Sequence, residues 1–378
     1  MKRRQFIGAL GGGFLCWYSP YVSAEPVNRP KVVWLLLRGA MDSLHALLPM
    51  DDSALMQQRG NFVKPIKDQA YPLARGFALH PALKEFYQLY QRKELLAVVA
   101  TSSGADTRSH FRAQDILESG RVPADNDSGW LNRAVEAYRG QSLAVAHSVP
   151  ISLRGRHASQ TWYPDNFKQP SDDLYDRLKY LYADDEQLLQ SLSMGLATQE
   201  KLAEMAPFKG QQQFASLALA CGKLMHANDG PDCSMLELDG WDTHQRQEAR
   251  LNKKFAELDN GLASLREGLG DQWRHTVVII ATEFGRTVAE NGTGGTDHGT
   301  ASALFLAGGA IRGGQVCGDW PGLANNRLYE GRDLAPTSDN RQWISAVLKQ
   351  HWHLNDSQLA RVFPQIEPVD HKLVNRLV

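Results

Sequence analysis

The chain has 378 residues, 43% of them hydrophobic, which is enough for one large domain or two ordinary ones. A formal net charge of −1 argues against nucleic acid or an anionic membrane surface as a partner. No internal repeat or low-complexity tract marks it as a solenoid or a disordered chain.

Residues 1–24 read as a cleavable export signal: a basic start, a short glycine-rich apolar stretch and small residues at Val22-Ser23-Ala24. Arg3-Arg4 followed by Gln5-Phe6-Ile7 resembles the twin-arginine pattern, which the export machinery reads as an address. The apolar part is shorter than the roughly 20 residues a spanning helix needs, so no stable membrane anchor is expected. Cleavage near Ala24 would leave a periplasmic or secreted protein. Three cysteines then remain, Cys221, Cys233 and Cys317, which permit one disulfide without indicating a pair.

Short apolar runs at 32–37, 95–100, 235–239, 277–281 and 303–307 read as buried strands. Their hydrophobicity is continuous, as a strand covered on both faces requires. Helical patterns lie between them. Residues 80–94 repeat Leu83, Phe86, Leu89 and Tyr90, and residues 248–269 repeat Leu251, Phe255, Leu258, Leu262 and Leu265. Residues from about 170 to 230 read as a helical insertion, broken by a proline and a glycine within 198–213. A late helix is expected in "DNRQWISAVLKQHW". Strands alternating with helices predict an α/β domain with a mainly parallel sheet, spanning 25–378 as one unit.

Open parallel sheets bind ligands beyond the carboxyl ends of their strands. Polar residues gather there. Asp42 follows the first run, and Ser109, His110 and Arg112 follow the second. Asp242 and His244 follow the third, while Glu283 and Arg286 follow the fourth. Asp297 and His298 precede the fifth. Carboxylates with imidazoles and no thiolates suit a divalent metal such as zinc or manganese. The expected ligands are Asp42, Asp242, His244, Glu283, Asp297 and His298. Ser109, just before a helical pattern, reads equally as an N-cap or as a metal-activated nucleophile. His110 is assigned to substrate binding, and Arg112 and Arg286 to neutralising substrate oxygens. No Gly-x-Ser-x-Gly elbow, P-loop or dinucleotide fingerprint is present.

The order of "LRGAMDSLHALLP", "LHPALKEFYQLY", "SHFRAQDILESG", "GWLNRAV", "LDGWDTHQ", "TEFGRTVAENGTGGTDHG" and "LAGGAIRGG" resembles the DUF1501 family. These exported bacterial proteins are grouped with the alkaline phosphatase-like, or sulfatase-like, superfamily. The resemblance implies a three-layer sandwich with a mainly parallel central sheet. It also implies Asp42, Asp242, His244, Glu283 and His298 at metal-ligand positions and Ser109 at the nucleophile position. Phe284 stands where relatives offer a histidine ligand, which leaves one or two ions open. "SHFRA" lacks the proline of the sulfatase maturation motif. The implied activity is metal-dependent hydrolysis of a small-molecule phosphate or related ester. The alternative is a non-catalytic metal-binding or assembly protein on the same scaffold.

Overall fold

The structure, a computed structural model, describes residues 29–164, most of 172–196 and 214–375. The expected export signal and the broken stretch at 198–213 lie outside the described residues.

The strands in chain order are β1 (Lys31–Leu37), β2 (Leu47–Pro49), β3 (Tyr71–Pro72), β4 (Phe77–Leu79), β5 (Leu95–Ser102) and β6 (Ser142–Val145). They continue as β7 (Gln160–Trp162), β8 (Cys233–Leu238), β9 (Thr276–Thr282), β10 (Ser302–Ala307), β11 (Gln315–Cys317) and β12 (Ser338–Asp339). The main sheet has the order β11-β5-β10-β9-β1-β8-β6-β7, with β12 also on β5, and β2-β4-β3 form a separate small sheet. Every pairing in the main sheet is parallel except those of β10, which runs against both β5 and β9.

Side-chain alternation along β1 divides the core into two layers. Val33, Leu35 and Leu37 pack toward the helices Lys84–Gln91, Phe214–His226 and Gln247–Leu269. Val32, Trp34 and Leu36 pack toward Trp130–Tyr138, Asn340–His351 and Asp356–Val362. Helices therefore cover both faces, giving a three-layer α/β sandwich. The expected continuous hydrophobicity has its cause here, since β1 and β9 are buried at every residue.

Part of the expected insertion belongs to the core. Phe214, Leu217, Ala218, Cys221 and Met225 of Phe214–His226 join the main hydrophobic cluster beside Leu258 and Leu265. Cys221, Cys233 and Cys317 are all buried and unbridged, so the permitted disulfide is not formed. Burial pushes the Cys221 thiol up to about 12, which keeps it protonated and inert. Among the described residues, no helix is long and apolar enough to cross a membrane.

Candidate metal centre

Register brings the polar loops to one rim. Leu37 lies opposite both Leu238 and Thr282, so the ends of β1, β8 and β9 are level. The reversed β10 starts at Ser302, opposite Thr101 near the end of β5. The segments after β1, β5, β8 and β9 and the one before β10 therefore converge. Gly39 permits the closest approach: its φ is +115°, and a Cβ there would lie 2.7 Å from the Asp242 amide nitrogen.

The loop from Glu283 to Thr300 folds back on itself. The Thr287 amide donates to the Asp297 carbonyl at 2.9 Å, and the Gly299 amide donates to that of Gly285 at 2.8 Å. This pairs Arg286 with His298 across the hairpin. A side chain on Gly285 would strike the Ala301 carbonyl, so glycine is required. At the tip, the Asn291 carboxamide oxygen accepts from the amides of Thr293 and Gly295. Its Nδ2 donates to the His244 carbonyl at 3.0 Å, so the tip also holds the His244 loop.

Three imidazoles and one carboxylate meet at the rim. Nε2 of His298 lies 3.0 Å from Nε2 of His110 and 3.0 Å from Nε2 of His244. Asp242 Oδ1 lies 3.0 Å from His244 Nε2, 3.3 Å from His298 Nε2 and 3.5 Å from His110 Nε2. His110, Asp242 and His298 offer ligand atoms that all lie within 4.8 Å of one another. Ligands about 2.1 Å from a common ion would be separated by roughly 3.0 Å in octahedral and 3.4 Å in tetrahedral geometry. The spacings among His110, Asp242 and His298, and those of His244 from Asp242 and His298, match that range, while His244 lies outside the mutually close group.

The opposite edge of each ring fixes its proton. His110 Nδ1–H donates to Glu283 Oε1 at 2.6 Å, and His298 Nδ1–H donates to the Arg108 carbonyl at 2.9 Å. His244 Nδ1–H donates to Asp297 Oδ1 at 3.1 Å. With Nδ1 turned to an acceptor, His110 and His244 each turn Nε2 toward His298 Nε2 and Asp242 Oδ1. Ring nitrogens and a carboxylate oxygen this close need a proton or a metal ion between them. The donor set, nitrogen and oxygen without sulfur, fits zinc or manganese.

Electrostatics reinforce the arrangement. Burial works against the Asp242 charge, but the Arg286 guanidinium bonded to it holds the carboxyl at about 2. Burial likewise opposes the Glu283 charge, yet the hydrogen bond from His110 keeps its carboxyl below the usual range. Glu283 is fully buried, and Oε1 also accepts from the Gly39 amide at 2.9 Å and Gln114 Nε2 at 3.1 Å. The hydrogen bond to Glu283 raises the His110 pKa, whereas burial lowers that of His298.

Several expected site residues take other positions. Asp42 is buried at the N-cap of Ser43–Ala46, where Oδ1 accepts from the Leu44 amide. Its Oδ2 accepts from Arg59 Nη1 and Gln247 Nε2, both at 2.6 Å, so its carboxylate is committed away from the cluster. Glu283 and Asp297 stand behind His110 and His244 as orienting groups. Arg286 is buried, and its guanidinium donates to four carbonyls, those of Gly39, Ala40, Trp241 and Thr296, as well as to Asp242. It anchors Asp242 and the surrounding loops instead of opening toward a substrate. Arg112 is exposed on the His110–Ser119 helix. Ser109 occupies the N-cap of that helix, but its side chain makes no capping bond. Phe284 packs against both His110 and His298, with ring centroids 4.9 and 5.2 Å away, and forms an apolar wall.

The model of the family described as "Protein of unknown function (DUF1501)" matches residues 87–363. The chain belongs to the DUF1501 family. No curated protein matches its sequence. Among solved structures, it is similar to the phosphonate monoester hydrolase of Agrobacterium radiobacter, at 11% identity and TM-score 0.41, covering 86% of this chain and 74% of that one. It is also similar to alkaline phosphatase from the Antarctic bacterium TAB5, at 12% identity and TM-score 0.39, covering 89% and 98% of the two chains. A murine ectonucleotide pyrophosphatase/phosphodiesterase 5 in complex with AMP matches at 8% identity and TM-score 0.41, covering 86% and 96%.

In this DUF1501 chain, sequence reasoning placed His110 at the rim but not among the ligand atoms. The available signal was only its place after the second predicted strand, because the Glu283 carboxylate that orients it lies 173 positions away in the chain. Arg59 and Gln247 gave no comparable signal, because neither belongs to a polar cluster at a predicted strand end.

Proposed function

We propose that this DUF1501 protein is an exported, divalent-metal-dependent hydrolase of phosphate or related esters. The observation that carries this reading is the meeting of three imidazoles with the Asp242 carboxylate. His110, Asp242 and His298 would hold the ion, with His244 beside Asp242 and His298, and with Glu283, Asp297 and the Arg108 carbonyl fixing the imidazoles. Such outer partners set ring orientation and raise ligand basicity. Charge balance favours one ion. Asp242, Glu283 and Asp297 against Arg286 leave two negative charges at the centre, while Arg59 already neutralises Asp42. When bound, the ion supplies Lewis-acid stabilisation of the anionic ester and activates a nucleophile.

The chain's own groups supply the rest. Ser109 offers an uncapped hydroxyl next to His110, at a helix N-terminus whose free amides favour developing negative charge. Arg286 keeps Asp242 ionised, and Phe284 excludes water from one side of the imidazoles. The test pairs metal analysis of purified protein with a screen of phosphate mono- and diesters, phosphonate monoesters and sulfate esters. The reading expects metal-dependent turnover that Ser109→Ala abolishes while the ion is retained. Absence of turnover with added zinc or manganese, in a folded protein, contradicts it.

A second reading, a non-catalytic metal-binding or assembly protein, is favoured by the commitment of Arg286 to carbonyls. It expects a bound ion, no turnover, and biological function that survives Ser109→Ala.

A further inference from the structure

A cleft of about 640 Å³ opens on the same rim, lined from the ends of β1, β6 and β8. It shares two elements with the metal centre. The His110–Ser119 helix carries His110 in the cluster, and lines the cleft with Phe111, Gln114 and Glu118. The loop after β8 places Asp239 in the cleft and Asp242 in the cluster. Gln114 belongs to both, because its Nε2 donates to the Glu283 carboxylate that orients His110.

The lining has unbalanced negative charge. Arg38 is paired with Glu237 at 3.0 Å, and Lys254 answers Glu257 at 2.8 Å. Asp115 and Asp239 remain against Arg154, while burial pushes the Glu118 carboxyl up to about 7. Asp239 is exposed and makes no ion pair or hydrogen bond among the described residues. Glu118 is only 7% exposed. Its Oε2 accepts from the amide and hydroxyl of Ser152 at 3.0 and 3.1 Å.

Aromatic faces complete the lining. The rings of His147 and Tyr163 pack with centroids 4.0 Å apart, and Phe111 is 81% exposed. Carboxylates combined with aromatic faces recognise an organic ammonium through charge and cation–π attraction. An anionic group would be repelled by the same lining.

We propose that this cleft binds an alkylammonium group on the alcohol portion of the ester, making the substrate an amino-alcohol ester. The substrate assignment rests on the hydrolase reading, whereas ammonium binding itself requires no turnover. The two are separated by titrating the purified, folded protein with choline and with its neutral isostere, 3,3-dimethylbutan-1-ol, in a calorimeter. Choline is expected to bind at least about tenfold more tightly than the isostere. Asp239→Asn and Tyr163→Leu should each weaken choline binding by roughly three- to tenfold, with unchanged melting temperature. Equal affinity for the two probes, no choline binding, or choline binding unchanged in both variants would overturn the proposal. Choline binding without turnover of any ester leaves the cleft assignment standing and removes the hydrolase reading. Turnover without choline binding does the reverse.

Discussion

Glu118 offers a test that reads out in the stability of the fold itself. Burial is the main reason its carboxyl is pushed up from the ordinary 4.5 to about 7, and Glu237 adds to the effect while Ser152 opposes it. Between those pH values the folded chain holds a proton that the unfolded chain has released. Stability therefore falls as pH rises from 4.5 to about 7 and then levels off. Roughly 2.5 pH units at 1.36 kcal/mol each correspond to about 3 kcal/mol. Glu118→Gln retains an oxygen for Ser152 and removes the titration. Urea unfolding of both proteins from pH 4.5 to 8 should show the variant gaining up to about 3 kcal/mol on the wild type across that range. Parallel stability curves would refute the account of this carboxyl and of the enclosed environment that perturbs it.

Glu283→Gln should loosen His110 and weaken metal affinity by roughly 10- to 100-fold with little change in fold, as measured by competition with a chelating dye. Arg59→Met leaves the buried Asp42 carboxylate without its cation, so a loss of about 3–5 kcal/mol is expected in denaturant unfolding; a loss below 1 kcal/mol would show that the pair contributes little. Gly39→Ala combines a left-handed backbone with a Cβ 2.7 Å from the Asp242 amide. It should displace the Asp242 loop and reduce bound metal, whereas an unaltered metal content would mean that the loop yields freely.

The sheet was largely legible because strands buried on both faces carry apolar residues continuously, as at β1, β5 and β9. The short β6 and β7 were not, since three or four residues do not establish a period. The reversal of β10 was equally hidden: parallel and antiparallel buried strands share the same composition. At the rim, position at a strand end was enough to mark Asp242, His244 and Glu283 after their strands and His298 before β10. It could not separate a ligand from the group behind it. Glu283 turns its carboxylate to His110 because the Gly39 amide and Gln114 hold it there, and those contacts join residues 244 and 169 positions apart. Asp42 likewise reads as a strand-end ligand until Arg59, 17 residues on in a separate helix, meets it in the interior. Long-range pairing of charges is a property of packing, and a local motif does not encode it.

The most direct test of the central claim is the metal content of the natively purified protein, measured by mass spectrometry alongside Asp242→Asn and His298→Ala. The account predicts about one divalent ion per folded chain, most of it lost in each variant while the far-ultraviolet circular dichroism spectrum is retained. A wild-type chain that is folded yet takes up neither zinc nor manganese, or variants that keep the ion in full, would contradict it.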